Sequence, residues 1–150
     1  MPLGEKQLVD AMIPNRSVKN VDISKNGLMD GFRFEIGNPV YRGVPFSCVE
    51  DVKLVVDNEE IPKNKISFLV RGQRINAEDA PTLHEIWWRQ GEIISLQAKK
   101  DGGLAHGEHE VNIKLVIRYA QPYGIHDFEQ RLHAAVTVRM MVGGAGYGKL

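Results

Sequence analysis

The sequence predicts an all-β chain: an antiparallel β-sandwich of about seven to nine strands, with at most short helical turns. Three observations predict it. Apolar residues recur at every second position in several segments. Glycine and proline fall between those segments rather than inside them. The stretches between strands are too short for the crossover helices that a parallel sheet requires.

Taken in order, the first dozen residues have helix-like spacing through Leu8 and Met12. In Asp30–Gly37, Phe32, Phe34 and Ile36 alternate with Arg33 and Glu35, the pattern of a half-buried strand. Val52–Val56 and Lys65–Arg71 are shorter strands, and Asp57-Asn58-Glu59-Glu60 is read as a turn between them. Ala80–Trp88 can hold one short helical turn, with Pro81 suited to a first helical position. Glu92–Ala98 is a strand. His109–Tyr119 places Val111, Ile113, Leu115 and Ile117 on one face, and Leu132–Val142 does the same with Ala134, Val136, Val138 and Met140. The expected organisation is an N-terminal extension over 1–12, a sandwich domain over 13–142 and a glycine-rich tail over 143–150.

With 150 residues, the chain has the size of one domain that can bury a core without staples. Nineteen Lys and Arg balance nineteen Asp and Glu, which argues against a nucleic-acid or anionic-membrane binder. Neither a signal peptide nor a membrane span is read, so a cytoplasmic protein is expected. The lone Cys48 excludes an intrachain disulfide and is read as a buried structural cysteine. The tail ends Gly148-Lys149-Leu150 and lacks the Ser or Thr and the helix of a phosphate loop.

Side chains that could carry chemistry are sparse. His106, His109 and His126, interleaved with Glu108 and Glu110, are ordinary metal-ligand types. His106 and His109 are three apart and converge only if the segment between them turns; the plainer reading is a solvated hairpin. Glu50-Asp51 and Glu78-Asp79 are carboxylate neighbours without a fixed geometry, and no serine or cysteine sits in a nucleophile signature. No catalytic, cofactor or metal residue is therefore assigned. Trp87-Trp88 is more informative, because neighbours on a strand point to opposite faces: either one fills the core and the other packs beneath a loop, or one lies in a partner interface. Val40–Phe46 combines Tyr41, Arg42 and a Gly-Val-Pro bend, the make-up of a projecting recognition loop.

Several segments together carry a family resemblance. They are Gly31-Phe-Arg-Phe34, Tyr41-Arg-Gly-Val44, Glu50-Asp-Val-Lys-Leu-Val-Val-Asp57, Asp101-Gly-Gly-Leu104 and Gly107-Glu-His-Glu-Val111. In this order, over roughly Ile13 to Met141, the chain resembles the small (β) subunit of bacterial C-glycoside deglycosidases. The resemblance implies a larger TIM-barrel α subunit holding a divalent metal such as Mn, and a further assembly of αβ pairs. It implies lyase-type cleavage of the carbon–carbon bond between a 3-keto sugar and an aromatic aglycone. This chain would then be a non-catalytic subunit, with Tyr41, Arg42, Trp87 and Trp88 at the subunit interface or facing substrate. The alternative is a stand-alone sugar- or polyphenol-binding sandwich. A third reading, a small metal enzyme on His106, His109 and Glu110, rests on the histidine pattern alone.

Overall fold

The computed structural model describes residues 5–40, 42–120 and 129–143. A helix, α1 (Glu5–Met12), precedes eleven strands: β1 (Ser17–Val21), β2 (Gly31–Gly37), β3 (Val44–Pro45), β4 (Val49–Val56), β5 (Glu59–Ile61), β6 (Ile66–Val70), β7 (Gln73–Asn76), β8 (Trp87–Trp88), β9 (Ile93–Lys99), β10 (Gly107–Ala120) and β11 (Glu129–Val142). Nine strands form one curled sheet in the order β5-β4-β10-β11-β1-β2-β9-β6-β7, and β3 pairs with β8 in a separate ribbon.

The hinge of the architecture is β1. Ser17 and Val18 pair with Met141 and Val142 of β11, whereas Lys19, Asn20 and Val21 pair with β2. One strand thus belongs to two halves, β5-β4-β10-β11-β1 and β1-β2-β9-β6-β7. The inward residues of both halves merge in a single core that includes Phe32, Phe34, Leu54, Phe68, Leu96, Ile113 and Leu115. The all-β expectation holds, with one difference: β1 and β11 run parallel over their two-residue contact. So short a contact needs no local crossover, because nearly the whole described chain connects the two strands.

Local chemistry accounts for the details. Asp57 (φ 50°) and Asn58 (φ 67°) form the two-residue turn joining β4 to β5, and both occupy the left-handed region that Asp and Asn tolerate. Glu59 and Glu60, expected in the turn, are already strand. In β4 the inward Val49 and Val52 are three apart. The register against β10 shifts there, with Ile117 opposite Val49 and Val116 opposite Asp51, so Glu50 is the extra residue of a bulge. Gly37 is the point where α1 reaches the sheet: a Cβ there would meet the Ala11 carbonyl oxygen at 2.0 Å. Met12 is fully buried, so the segment expected as an extension contributes to the core. Pro81 lies inside a 3-10 turn, Ala77–Thr82. No helix among the described residues is long and apolar enough to cross a membrane.

Candidate functional site

The β3–β8 ribbon and the loop before it are held by a buried amide. Asn38 is 7% exposed. Its Nδ2 donates to the carbonyl oxygens of Arg42 (3.0 Å), Trp88 (3.2 Å) and Arg89 (3.2 Å), and its Oδ1 accepts the Val40 N–H at 2.8 Å. One side chain therefore satisfies backbone groups that the short ribbon leaves unpaired, which is how irregular backbone can be packed against a core.

The two tryptophans then divide as a strand dictates. Trp88 is wholly buried; its ring stacks on Phe46 with centroids 5.8 Å apart and planes 6° apart, and its Nε1 donates to the Glu92 carbonyl at 2.9 Å. Trp87 points the other way and is 48% exposed. The partner-facing assignment of Trp88 is corrected by this geometry: its side chain has no surface to offer, because it fills the core under the ribbon. Strand spacing sends the two rings to opposite faces. Which one is buried depends on Phe46, forty-two positions away, and only the fold supplies that.

Trp87 is braced from behind. Arg71, at the β6–β7 turn, donates through one guanidinium nitrogen to the Trp87 carbonyl at 2.9 Å and forms an ion pair with Glu92 through another. The second Glu92 oxygen accepts the Arg89 N–H at 2.8 Å. Burial pushes the Glu92 carboxyl up, but the Arg89 N–H and the Arg71 guanidinium outweigh it and hold the group below the usual carboxylate range. Asn38, Arg71 and Glu92 were not singled out from sequence; Asn38 carried no signal there, since a buried amide is recognised only by its partners. Of the other interface candidates, Arg42 lies in the Asn38-bound loop and Tyr41 lies outside the described residues.

The histidine cluster resolves differently. His109 is 9% exposed, with Nδ1 2.6 Å from an Asp57 carboxylate oxygen and Nε2 2.6 Å from the Ala105 carbonyl oxygen. Both neighbours accept, so the protonated ring, with a hydrogen on each nitrogen, is the form this geometry favours. Burial pushes its pKa down, but the Ala105 carbonyl and the Asp57 carboxylate outweigh burial and raise it. Asp57, in turn, is held below the usual range by His109 first and the Glu110 N–H second. The other Asp57 oxygen accepts that N–H at 2.9 Å. This is a clip between the β4–β5 turn and the start of β10. Both ring nitrogens of His109 are thus engaged within the protein, and no group of three metal-ligating side chains occurs among the described residues. His126 lies outside them. Glu50 accepts two hydrogen bonds from Arg131, at 2.6 and 3.2 Å. Glu78 and Asp79 are exposed in the 3-10 turn, and Cys48 is a half-buried free thiol.

Residues 8–123 match the family described as C-glycoside deglycosidase beta subunit. The chain belongs to that family. A C-glycoside deglycosidase beta subunit of Eubacterium cellulosolvens is 31% identical over 107 residues, covering 71% of this chain and 69% of the relative. Another, from Microbacterium trichothecenolyticum, is 26% identical over 122 residues, covering 81% of this chain and 89% of its own length. The family match takes in α1 from Leu8 onward, the Asn38-bound ribbon and the His109 clip. As a family member described as a beta subunit, the chain is one subunit of an enzyme with a partner.

Proposed function

We propose that this chain is the small subunit of a heteromeric, lyase-type C-glycoside deglycosidase and is not itself catalytic. Its partner is a larger TIM-barrel α subunit holding a divalent metal, Mn or similar. The complex is cytoplasmic, and αβ pairs assemble further. The substrate is a C-glycoside whose sugar a separate oxidoreductase has converted to the 3-keto form. The ketone acidifies the neighbouring C–H, and elimination then breaks the bond from sugar to the aromatic, flavonoid-type aglycone. The small subunit stabilises the α subunit and helps shape its site, since a barrel builds its active site from loops at one face that a second chain can cover.

The observation that supports this reading is membership of a family described as a beta subunit, shared by two named relatives. The braced, half-exposed Trp87 supports the docking part. Arg71 holds the backbone that presents this indole, and tryptophan is enriched among residues that dominate interfaces. The test is co-expression of this chain with the genes beside its own, followed by mass spectrometry, metal analysis and assay on a 3-keto C-glycoside. A stoichiometric larger subunit carrying a divalent metal, and activity only in the complex, are expected. Cleavage by the isolated chain at the rate of the complex would overturn the reading. Trp87→Ala and Arg42→Ala are expected to weaken association by about tenfold or more, a larger effect than either has on the chain's own melting temperature.

The exposed Trp87 indole also favours a second reading, a stand-alone sugar- or polyphenol-binding module. Titration of the isolated chain with glycosides, followed by tryptophan fluorescence, separates the two.

A further inference from the structure

The outward face of β1-β2-β9-β6-β7 carries a trough that the subunit reading does not use. It comprises two contiguous recesses of about 580 and 410 Å³ that share Arg33 and Leu69. Lys19, Lys25 and Arg74 complete the cationic walls, and Gln97 belongs to the floor. Strand alternation places these groups there: Phe32, Phe34, Leu96 and Phe68 go inward, so Arg33, Gln97 and Leu69 go outward. Arg33 pairs in register with Lys19 on one side and Gln97 on the other, and Leu69 pairs with Arg74.

Two features separate this trough from an ordinary solvated surface. The first is charge. None of Lys19, Lys25, Arg33 and Arg74 has a carboxylate within ion-pair distance among the described residues. The acids beside them are engaged elsewhere: the two Asp22 oxygens accept the Asn26 and Gly27 N–H groups at 3.1 and 2.6 Å, and Glu35 accepts from the Asn15 amide at 3.2 Å. The second is the floor. Gln97 is 7% exposed, yet its side chain makes no hydrogen bond to any described residue. No fully enclosed polar atom lacks a partner, so the Gln97 amide retains contact with the space outside the protein. The amide therefore sits at the bottom of the recess with its donor and acceptor groups available to whatever enters it.

We propose that this trough binds a small organic anion, whose carboxylate or phosphate oxygens are held by Arg33 and Arg74 and whose hydrogen-bonding edge meets Gln97. Planar guanidinium groups suit both kinds of oxyanion. Leu69, between the charged walls, gives an apolar rest for the carbon skeleton. The volume matches a small ligand rather than a polymer.

The test uses the full-length chain, titrated at constant ionic strength and followed by two-dimensional amide NMR. Citrate and benzoate are the carboxylate probes, and inorganic phosphate is the phosphate probe; sodium chloride is the control. Saturable shifts confined to the amides around Arg33, Leu69, Arg74 and Gln97 are expected with at least one probe, and the probe that saturates identifies the oxyanion. Arg33→Gln and Arg74→Gln should each weaken binding about tenfold, the loss of one charge-assisted contact. Gln97→Leu should weaken it less, with the charge intact. Lys114→Gln, on the opposite half of the sheet, should change nothing. Non-saturating shifts, shifts reproduced by chloride, or binding indifferent to the arginine substitutions would overturn the proposal. So would a trough that binds no anion but whose arginines are needed to capture the larger subunit, because it would then be an interface.

Discussion

The two outward faces of the curled sheet handle charge in opposite ways. On the β4-β10-β11 half, cations and acids are matched across strands. Glu50 binds Arg131 at 2.6 Å and lies 3.7 Å from Arg118; Asp51 lies 3.2 Å from Lys63, and Lys53 lies 3.9 Å from Glu60. Asn112 donates to Thr137 Oγ1 at 2.7 Å. On the β2-β9-β6 half, the cations stand around a trough and the acids beside them serve backbone N–H groups or an asparagine amide. A matched face gains its small increments within the chain. An unmatched one keeps its attraction available for something that arrives later. The Glu50 bulge takes part in the matching, since the extra residue carries the carboxylate that meets Arg131 and Arg118.

That contrast can be sharpened by substitution, with the shared core as its upper limit. Trp88 belongs to neither outward face. Trp88→Ala removes a stacked ring and the Glu92 hydrogen bond, and should cost about 3–5 kcal/mol, read by chemical denaturation.

His109→Gln should cost about 2 kcal/mol near neutrality, since it breaks a charge-assisted pair at the end of the matched half. Its pH dependence has a definite sign. The folded-state pKa of His109 is raised above the ordinary 6.5, so its contribution is complete below that value and fades as pH rises through the raised one. The partner Asp57 is lowered from 3.8, so its contribution is complete above that value and fades as pH falls through the lowered one. Thermal melts against pH should show the parent and His109→Gln proteins converging at both ends of the range.

The smallest effects compare the faces directly. Glu50→Gln should cost about 1 kcal/mol, a modest figure because the group is partly exposed. Arg131 chiefly holds this carboxyl below its ordinary 4.5, against the opposing effect of burial, so the deficit should shrink in acid. Arg33→Gln should stay within about 0.5 kcal/mol of the parent at any pH, because it has no side-chain partner to lose among the described residues. If Arg33→Gln proved the more destabilising of the two, the contrast between the faces would fail.

How much of this the sequence discloses depends on the range of the interaction. Alternation is local, so the strands carrying Phe32–Phe34–Ile36 and Val111–Ile113–Leu115 are legible at once. So are the outward orientation of Arg33 and the contrast between Trp87 and Trp88 as neighbours. The bulge is also latent in the three-residue step from Val49 to Val52, once the strand is known to be buried. Other features are non-local. His109 looks like a metal ligand until Asp57, some fifty positions earlier, occupies one nitrogen. Asn38 looks like any loop asparagine until two carbonyls some fifty positions away, those of Trp88 and Arg89, converge on it. The trough needs four strands in register before Arg33, Gln97, Leu69 and Arg74 lie together. The parallel contact of β1 with β11 is invisible for the same reason: two residues do not make a pattern.

That contact bears on how the protein is made. A ribosome delivers the chain in order, yet Ser17 and Val18 have their partners at Met141 and Val142. The strand that unites the two halves therefore waits with one edge open through most of synthesis, while β2 can already claim its other residues. Until the last described strand emerges, the nascent chain presents a half-built seam. A slow codon stretch late in the gene would prolong that exposure more than one placed early.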